Sequence, residues 1–203
     1  MSLKRAYSLV FLVILIDQIV KIYIKTHFLY GDAGEFVVTD WCRLHFIENE
    51  GMAWGTEIPG QYGKLFLTVF RLLVVPAIIY WLYDSVKKNA SKPLILAISL
   101  ILAGAIGNII DSVFYGIIFD SPMDKTATLF SSNPYGKLFY GRVVDMFYFP
   151  LFDGNFPSWI PFIGGNHFRF FNAIFNVADF AISVGIGILI VFNKSSFATH
   201  KED

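Results

Sequence analysis

The stretch FNVADFAISVG, Phe175 to Gly185, sets one ionisable residue, Asp179, among Phe, Val, Ala and Ile. The apolar run continues to Phe192. About 20 such residues suffice for a helix to cross a bilayer core. An acid inside that segment costs about 2.5–3.5 kcal/mol on insertion scales. The chain must therefore contain something that compensates it.

Three more segments have a similar character: about Ala6 to Ile24, Leu65 to Tyr83 and Pro93 to Phe119. The fourth, with its flank, runs from about Asn172 to Phe192. Of the 203 residues 55% are hydrophobic and only 16% charged, with a mean hydropathy of +0.56. Soluble domains are typically about 45–50% apolar and about 25% charged. The sequence thus predicts an all-α integral membrane domain of four spans, with residues 1–203 forming one unit. The first segment carries Asp17 and Lys21 and lacks a small-x-small cleavage site, so it reads as a retained helix rather than a signal peptide. Net charge is zero, which gives no bulk attraction to nucleic acid. Cys42 is the only cysteine; an intrachain disulfide and a CxxC metal site are both excluded.

Lys and Arg near span ends set orientation. Lys4 and Arg5, then Lys87, Lys88 and Lys92, then Lys194 and Lys201 fall on one side of a four-span topology. That side is expected to be cytoplasmic, with both termini inside. The segments from about 25–64 and 120–171 are then outer segments. The first contains FVVTDWCRLHFIEN, Phe36 to Asn49, whose β-prone residues predict a small strand-bearing platform. The second, rich in Pro, Gly, Ser and aromatics, is expected to lie along the membrane surface.

The spans hold polar residues at helical spacing: Asp17 with Lys21, Asn108 with Asp111, Arg71 alone, and Asn172, Asn176 and Asp179 as one i, i+4, i+7 stripe. At about 1.5 Å per residue, these groups reach one level in the outer half, with Asp179 roughly 10 Å below the outer end of its span. Left unpaired in lipid, five charges would cost on the order of 15 kcal/mol. A shared polar cleft resolves that cost. Simpler readings exist: Asp17–Lys21 as a structural pair, Arg71 snorkelling outward, and Asn108 and Asn176 as interhelical hydrogen-bonding groups. Asp179 has no cation at helical spacing in its own segment. Asp145, in the apolar run GRVVDMFYF before the fourth span, is a candidate partner.

Two carboxylates in a low-dielectric cleft share a single proton over a wide pH range. The ionised one can take a proton from water; the protonated one can polarise a carbonyl. Amide hydrolysis follows without metal, cofactor or covalent intermediate. No GxSxG or HExxH is present, and His27, His45, His167 and His200 are scattered, so neither a serine triad nor a zinc site is indicated. A proton- or ion-coupled transporter also uses intramembrane acids, and a non-catalytic membrane subunit could use them to bind a partner.

Five short motifs stand in order: DQIVK (Asp17–Lys21), NEGMAW (Asn49–Trp54), GNIID (Gly107–Asp111), GRVVDMF (Gly141–Phe147) and FNVAD (Phe175–Asp179). Together they resemble the lipoprotein signal peptidase (signal peptidase II) family. The resemblance implies an aspartyl endopeptidase of the bacterial inner membrane. It would cleave a prolipoprotein just before a diacylglyceryl-modified cysteine. By motif position Asp145 and Asp179 would be catalytic. Asn49, Gly51, Asn108, Asp111, Arg142, Asn172 and Asn176 would support the cleft, with Asp17 and Lys21 behind them. Its partners would be the lipid-modified precursor and membrane lipids; a monomer suffices.

Two departures from that family pattern stand out. Ser112 follows the third-motif aspartate where the family usually has Arg, and Arg71 is expected to supply the missing guanidinium, paired with Asp111. The stretch IIFDSPMDKTATLFSSNPYG, 117–136, reads as an inserted outer loop, a candidate lid or a neutral insertion.

Overall fold

The computed structural model describes residues 1–50, 62–123 and 125–192. Gly51 with the remainder of the NEGMAW motif, His200, Lys194 and Lys201 lie outside the described residues. Helix α1 (Leu3–His27) starts where the Ser2 hydroxyl accepts the Arg5 N–H at 3.4 Å. Strands β1 (Phe36–Thr39) and β2 (Cys42–Asn49) follow, then α2 (Gly63–Lys87). Helix α3 (Lys92–Ile110) opens on Ser91, whose hydroxyl accepts the Leu94 N–H at 3.3 Å, with Pro93 in its first turn. Neither residue costs the helix there: serine satisfies an orphan N–H, and proline lacks one. The helix widens into a π-helical segment (Asp111–Tyr115) and ends in the short α4 (Gly116–Ile118).

Strands β3 (Val143–Tyr148), β4 (Phe152–Asn155), β5 (His167–Phe170) and β6 (Ile174–Phe175) precede the final helix, α5 (Val177–Val191). An antiparallel sheet runs β1-β2-β3-β6, and β4 pairs with β5 separately. The sequence located strands only in the first outer segment. The second supplies the central strand β3 as well, because its apolar run is buried along nearly its whole length.

The fourth segment also begins differently. Ile174 and Phe175 pair with Tyr148 and Phe147, so their backbone belongs to the sheet and the helix cannot start before Val177. Asn172 therefore lies exposed before β6, Asn176 is the N-cap, and Asp179 sits in the first turn. The expected helical stripe through all three residues, and the depth assigned to Asp179, are corrected accordingly. Helices α1, α2 and the α3–α4 run are long and apolar enough to cross a membrane; α5 is shorter, at 15 residues.

Helix α3 is the hub. It buries Leu94, Ile95, Ile98, Leu102 and Ala103, which cluster with Ala6, Val10 and Leu82 from α1 and α2. Against α5 the backbones approach closely. A Cβ placed on Gly104 would lie 2.2 Å from the Ala178 carbonyl oxygen, and small residues permit such approach in membrane helix pairs. Many apolar side chains on α1 and α2, among them Phe11, Ile19, Phe66 and Leu73, face outward. An apolar outer surface of this kind suits lipid contact.

Gly104→Leu is expected to separate α3 from α5 and destabilise the protein by at least the about 1–3 kcal/mol typical of overpacking. A lowered thermal midpoint in detergent, against an unchanged or slightly raised midpoint for Gly187→Ala, whose Cβ would meet nothing within 4 Å, checks this.

Candidate active site

Helices α1, α3 and α5 meet at a buried polar cluster. Lys21 has no exposed surface. Its ammonium donates to Asp17 Oδ2 at 2.9 Å, Asp111 Oδ2 at 2.9 Å and Asn108 Oδ1 at 2.8 Å. Three acceptors match its three N–H bonds. Gln18 Nε2 adds hydrogen bonds to Asp17 Oδ2, the Gly107 carbonyl and Asp111 Oδ1 at 3.1, 3.2 and 2.9 Å. The Tyr115 hydroxyl donates to Gln18 Oε1 at 3.1 Å. Gly107 is required for this closeness, since a Cβ there would sit 2.7 Å from Asp17 Oδ2.

The cluster fixes two other elements. Asp17 Oδ1 accepts the Ala178 N–H at 2.8 Å, and so satisfies a first-turn donor of α5. Asp111 Oδ2 accepts the Val144 N–H at 3.2 Å, which pins strand β3 to the end of α3. Lys21, rather than the expected Arg71, makes the salt bridge to Asp111 seen among the described residues. The guanidinium of Arg71, half-buried on α2, lies within reach of the charges of both Asp179 and Asp111.

Asn176 joins the two candidate acids. Its side-chain oxygen accepts the Asp179 N–H at 2.9 Å, and its own N–H donates to Asp179 Oδ2 at 3.3 Å, forming a reciprocal cap. Its amide nitrogen donates to Asp145 Oδ1 at 2.7 Å, and to Asn108 Oδ1 and the Val144 carbonyl, each at 3.2 Å. Asn108 Nδ2 donates to Asp179 Oδ1 at 2.8 Å. Asn49, at the end of β2, donates its amide to Asp145 Oδ2. Asp145 is 2% exposed and Asp179 half-buried. Burial raises the Asp145 carboxyl well above its ordinary range; the Asp179 carboxylate pushes it the same way, and Lys21 and the two amides oppose less strongly.

The far face of the sheet packs against the stretch 117–136. Phe46, Val144 and Met146 pack there with Tyr115, Phe119, Ala127 and Tyr135. Strand alternation sends Val144 and Met146 to that face and Asp145 to the other. A buried Lys25–Glu48 ion pair lies within it, with Lys25 Nζ 5.1 Å from the ring centres of both Phe119 and Tyr135. The Arg142 N–H donates to the Tyr135 hydroxyl at 2.7 Å, and Arg142 Nε to Glu50 Oε1 at 3.3 Å. The loop thus lies behind the platform rather than over the acids. Asn172 meets only the rim, accepting the Tyr148 hydroxyl at 3.2 Å. Among the described residues no cluster of three or more His, Cys, Asp and Glu could hold a metal.

Sequence reasoning missed Gln18, Tyr115, Lys25 and Glu48. Gln18 stood inside the first motif. Lys25 continues the i, i+4 spacing of Asp17 and Lys21, and that continuation was the available signal.

Paired acids set against a helix terminus within apolar helices define a membrane protein with an acid-based site. The comparisons give the particular family. Residues 9–193 match Signal peptidase (SPase) II, and the chain belongs to that family of aspartic-type peptidases. It is 47% identical to the lipoprotein signal peptidase of Porphyromonas gingivalis (strain ATCC 33277) over 190 residues, covering 93% of this chain and 82% of that protein. It is 34% identical to the lipoprotein signal peptidase of Amoebophilus asiaticus, covering 95% and 78%. A bacterial membrane enzyme solved by the in meso method has the same fold, with a TM-score of 0.61 at 24% identity, over 99% of this chain and 95% of that one.

Lys21→Met is expected to leave two buried carboxylates without their cation and to cost about 3–5 kcal/mol, read as a loss of thermal stability near neutral pH. Asp145 supplies a second expectation. Its raised folded-state pKa favours folding most in acid, and that contribution is lost as pH rises from the unfolded value through the folded one. Asp145→Asn should therefore match the wild-type melting temperature in acid and exceed it increasingly toward alkaline pH.

Proposed function

We propose that this chain removes signal peptides from prolipoproteins, cutting just before a diacylglyceryl-modified cysteine, with Asp145 and Asp179 as the catalytic pair. The observation that carries the assignment is Asn176, which hydrogen-bonds to both acids at once. Asp145, deeply buried with a raised carboxyl pKa, is the acid that starts protonated and polarises the scissile carbonyl. Asp179, less buried, takes the proton from the attacking water. Oxygen of that water bonds to the carbonyl carbon as the carbonyl π bond breaks and Asp145 gives its proton to the former carbonyl oxygen, so the gem-diol intermediate faces ionised Asp145 and protonated Asp179. Collapse breaks the C–N bond: Asp179 gives its proton to the leaving nitrogen while Asp145 takes a hydroxyl proton from the gem-diol as the carbonyl re-forms. The pair ends with one proton again, and its titration belongs to the pair rather than to either residue.

Supporting roles follow from contact. Asn49 and Asn176 orient Asp145; Asn108 and the reciprocal cap orient Asp179. Asp17, Lys21 and Asp111 hold α1, α3, α5 and β3 in register around them. Arg71 lies where its charge can steady ionised Asp179. Gly51 shares a motif with Asn49, and the resemblance gives it a supporting role.

In this reading residues 1–203 are one membrane-embedded unit with four spans and both termini cytoplasmic. The unit resides in the bacterial inner membrane as a monomer, with the acids near the outer leaflet. The precursor's signal helix and acyl chains reach the cleft laterally between helices.

Purified protein and a diacylated precursor peptide test the reading. Asp145→Asn and Asp179→Asn should each abolish cleavage, a loss of at least about 10²–10⁴-fold, with the protein still folded and inserted. Full activity in either variant overturns the pair. Wild-type kcat/KM should fall as pH rises through the raised Asp145 ionisation, because the acid is then deprotonated.

A further inference from the structure

Between β3 and α5 the chain builds a hairpin that takes no part in the carboxylate network. Strands β4 and β5 pair in register, from Phe152 opposite Phe170 to Asn155 opposite His167. From Gly154 through Asn166 no residue carries a charge. The tip turns Trp159 and Phe162 outward at 79% and 103% exposure, with Ile163 beside them at 41%.

The tip is an ordered structure rather than slack chain. The Ile160 N–H donates to the Pro157 carbonyl at 3.1 Å and the Gly164 N–H to the Ile160 carbonyl at 2.9 Å. Across its base, the Gly165 N–H donates to the Phe156 carbonyl and the Phe156 N–H to the Asn166 carbonyl, each at 2.9 Å. Phe156 and Phe168 pack behind it at 4.7 Å between ring centres. Phe162 takes a left-handed φ of +69°, unfavourable for a bulky residue. Large apolar side chains held in water forgo the free energy that burial would give them.

We propose that this hairpin tip is an interfacial anchor, seated at the headgroup–acyl boundary of the bilayer that the helices enter. Continuity with the spans places it there. Only residues 171–176 separate β5 from α5, and two of them are held in β6. At about 1.5 Å per residue, α5 spans roughly 22 Å, short of the about 30 Å hydrocarbon core. With its far end near the opposite boundary, the first turn of α5 lies at or below the near one. The short connection keeps the hairpin at that level. The chemistry agrees, since tryptophan and other aromatic rings favour this zone. Bonded backbone at the tip lowers the cost of leaving water. The proposal uses α5 as a span and is independent of peptidase activity.

Spin labelling of the full chain tests it. In a Cys42→Ser background, a nitroxide is attached to Phe162→Cys, with Lys88→Cys as a water reference and Phe11→Cys as a lipid reference. In phosphatidylcholine–phosphatidylglycerol liposomes, Phe162 should collide more with oxygen and less with a water-soluble nickel chelate than Lys88 does. Nickel collisions equal to those at Lys88 overturn the proposal. Dipolar broadening between labels that disappears on dilution into excess lipid, with nickel access restored, assigns the tip to a second copy and also overturns it. Tryptophan emission supplies a second readout that leaves Phe162 intact. A variant with Trp41, Trp54 and Trp81 changed to Phe should lose Trp159 emission in brominated lipid. Undiminished emission at the wavelength of water-exposed tryptophan overturns the proposal.

Discussion

The structure depends on one buried ammonium. Lys21 sits in a triangle of acceptors supplied by its own helix and by α3. Without the cation, Asp17 and Asp111 would be two carboxylates facing each other in an apolar interior. With it, each keeps oxygen capacity to spare. Asp17 spends that capacity on the backbone of α5, and Asp111 on the backbone of β3. The ion cluster is thus less a source of stability, since such charges lose heavily in desolvation, than a jig that aligns two backbone segments. Those segments carry Asp179 and Asp145.

The sheet has two faces with separate work. One presents Asn49 and Asp145 to the helix cluster. The other is an aromatic and aliphatic core into which the long loop after α4 is folded, around Lys25 and Glu48. The loop after α4 lies behind the platform, away from the acids, where its side chains support β2 and β3.

Much of this was legible in the sequence. Hydropathy located the three long helices, and the cost of charge in lipid called for one polar level shared by Asp17, Lys21, Arg71, Asp111 and Asp179, of which Asp17, Lys21 and Asp111 form one ion cluster. Spacing failed where tertiary pairing overrode it. Asn172 to Asp179 has helical periodicity, yet β3 claims Ile174 and Phe175, so the helix starts late. The pairing of Arg71 with Asp111 rests on the family pattern at Ser112 and on shared depth; Lys21 makes that salt bridge because Gly107 lets α1 and α3 approach closely, a contact no one-dimensional reading supplies. Lys25 and Glu48 escaped notice because each, alone, resembles an ordinary charge at a segment end.

The carboxamide of Asn176 uses both of its ends. The oxygen caps a helix while the nitrogen reaches Asp145. Aspartate could cap but would bring a third negative group; serine could cap but has no second arm; glutamine would overshoot by one methylene. Stereochemistry thus leaves asparagine alone able to serve both partners, while the helix beyond it is restricted by bulk wherever α3 comes close, as at Ala178 and Gly185.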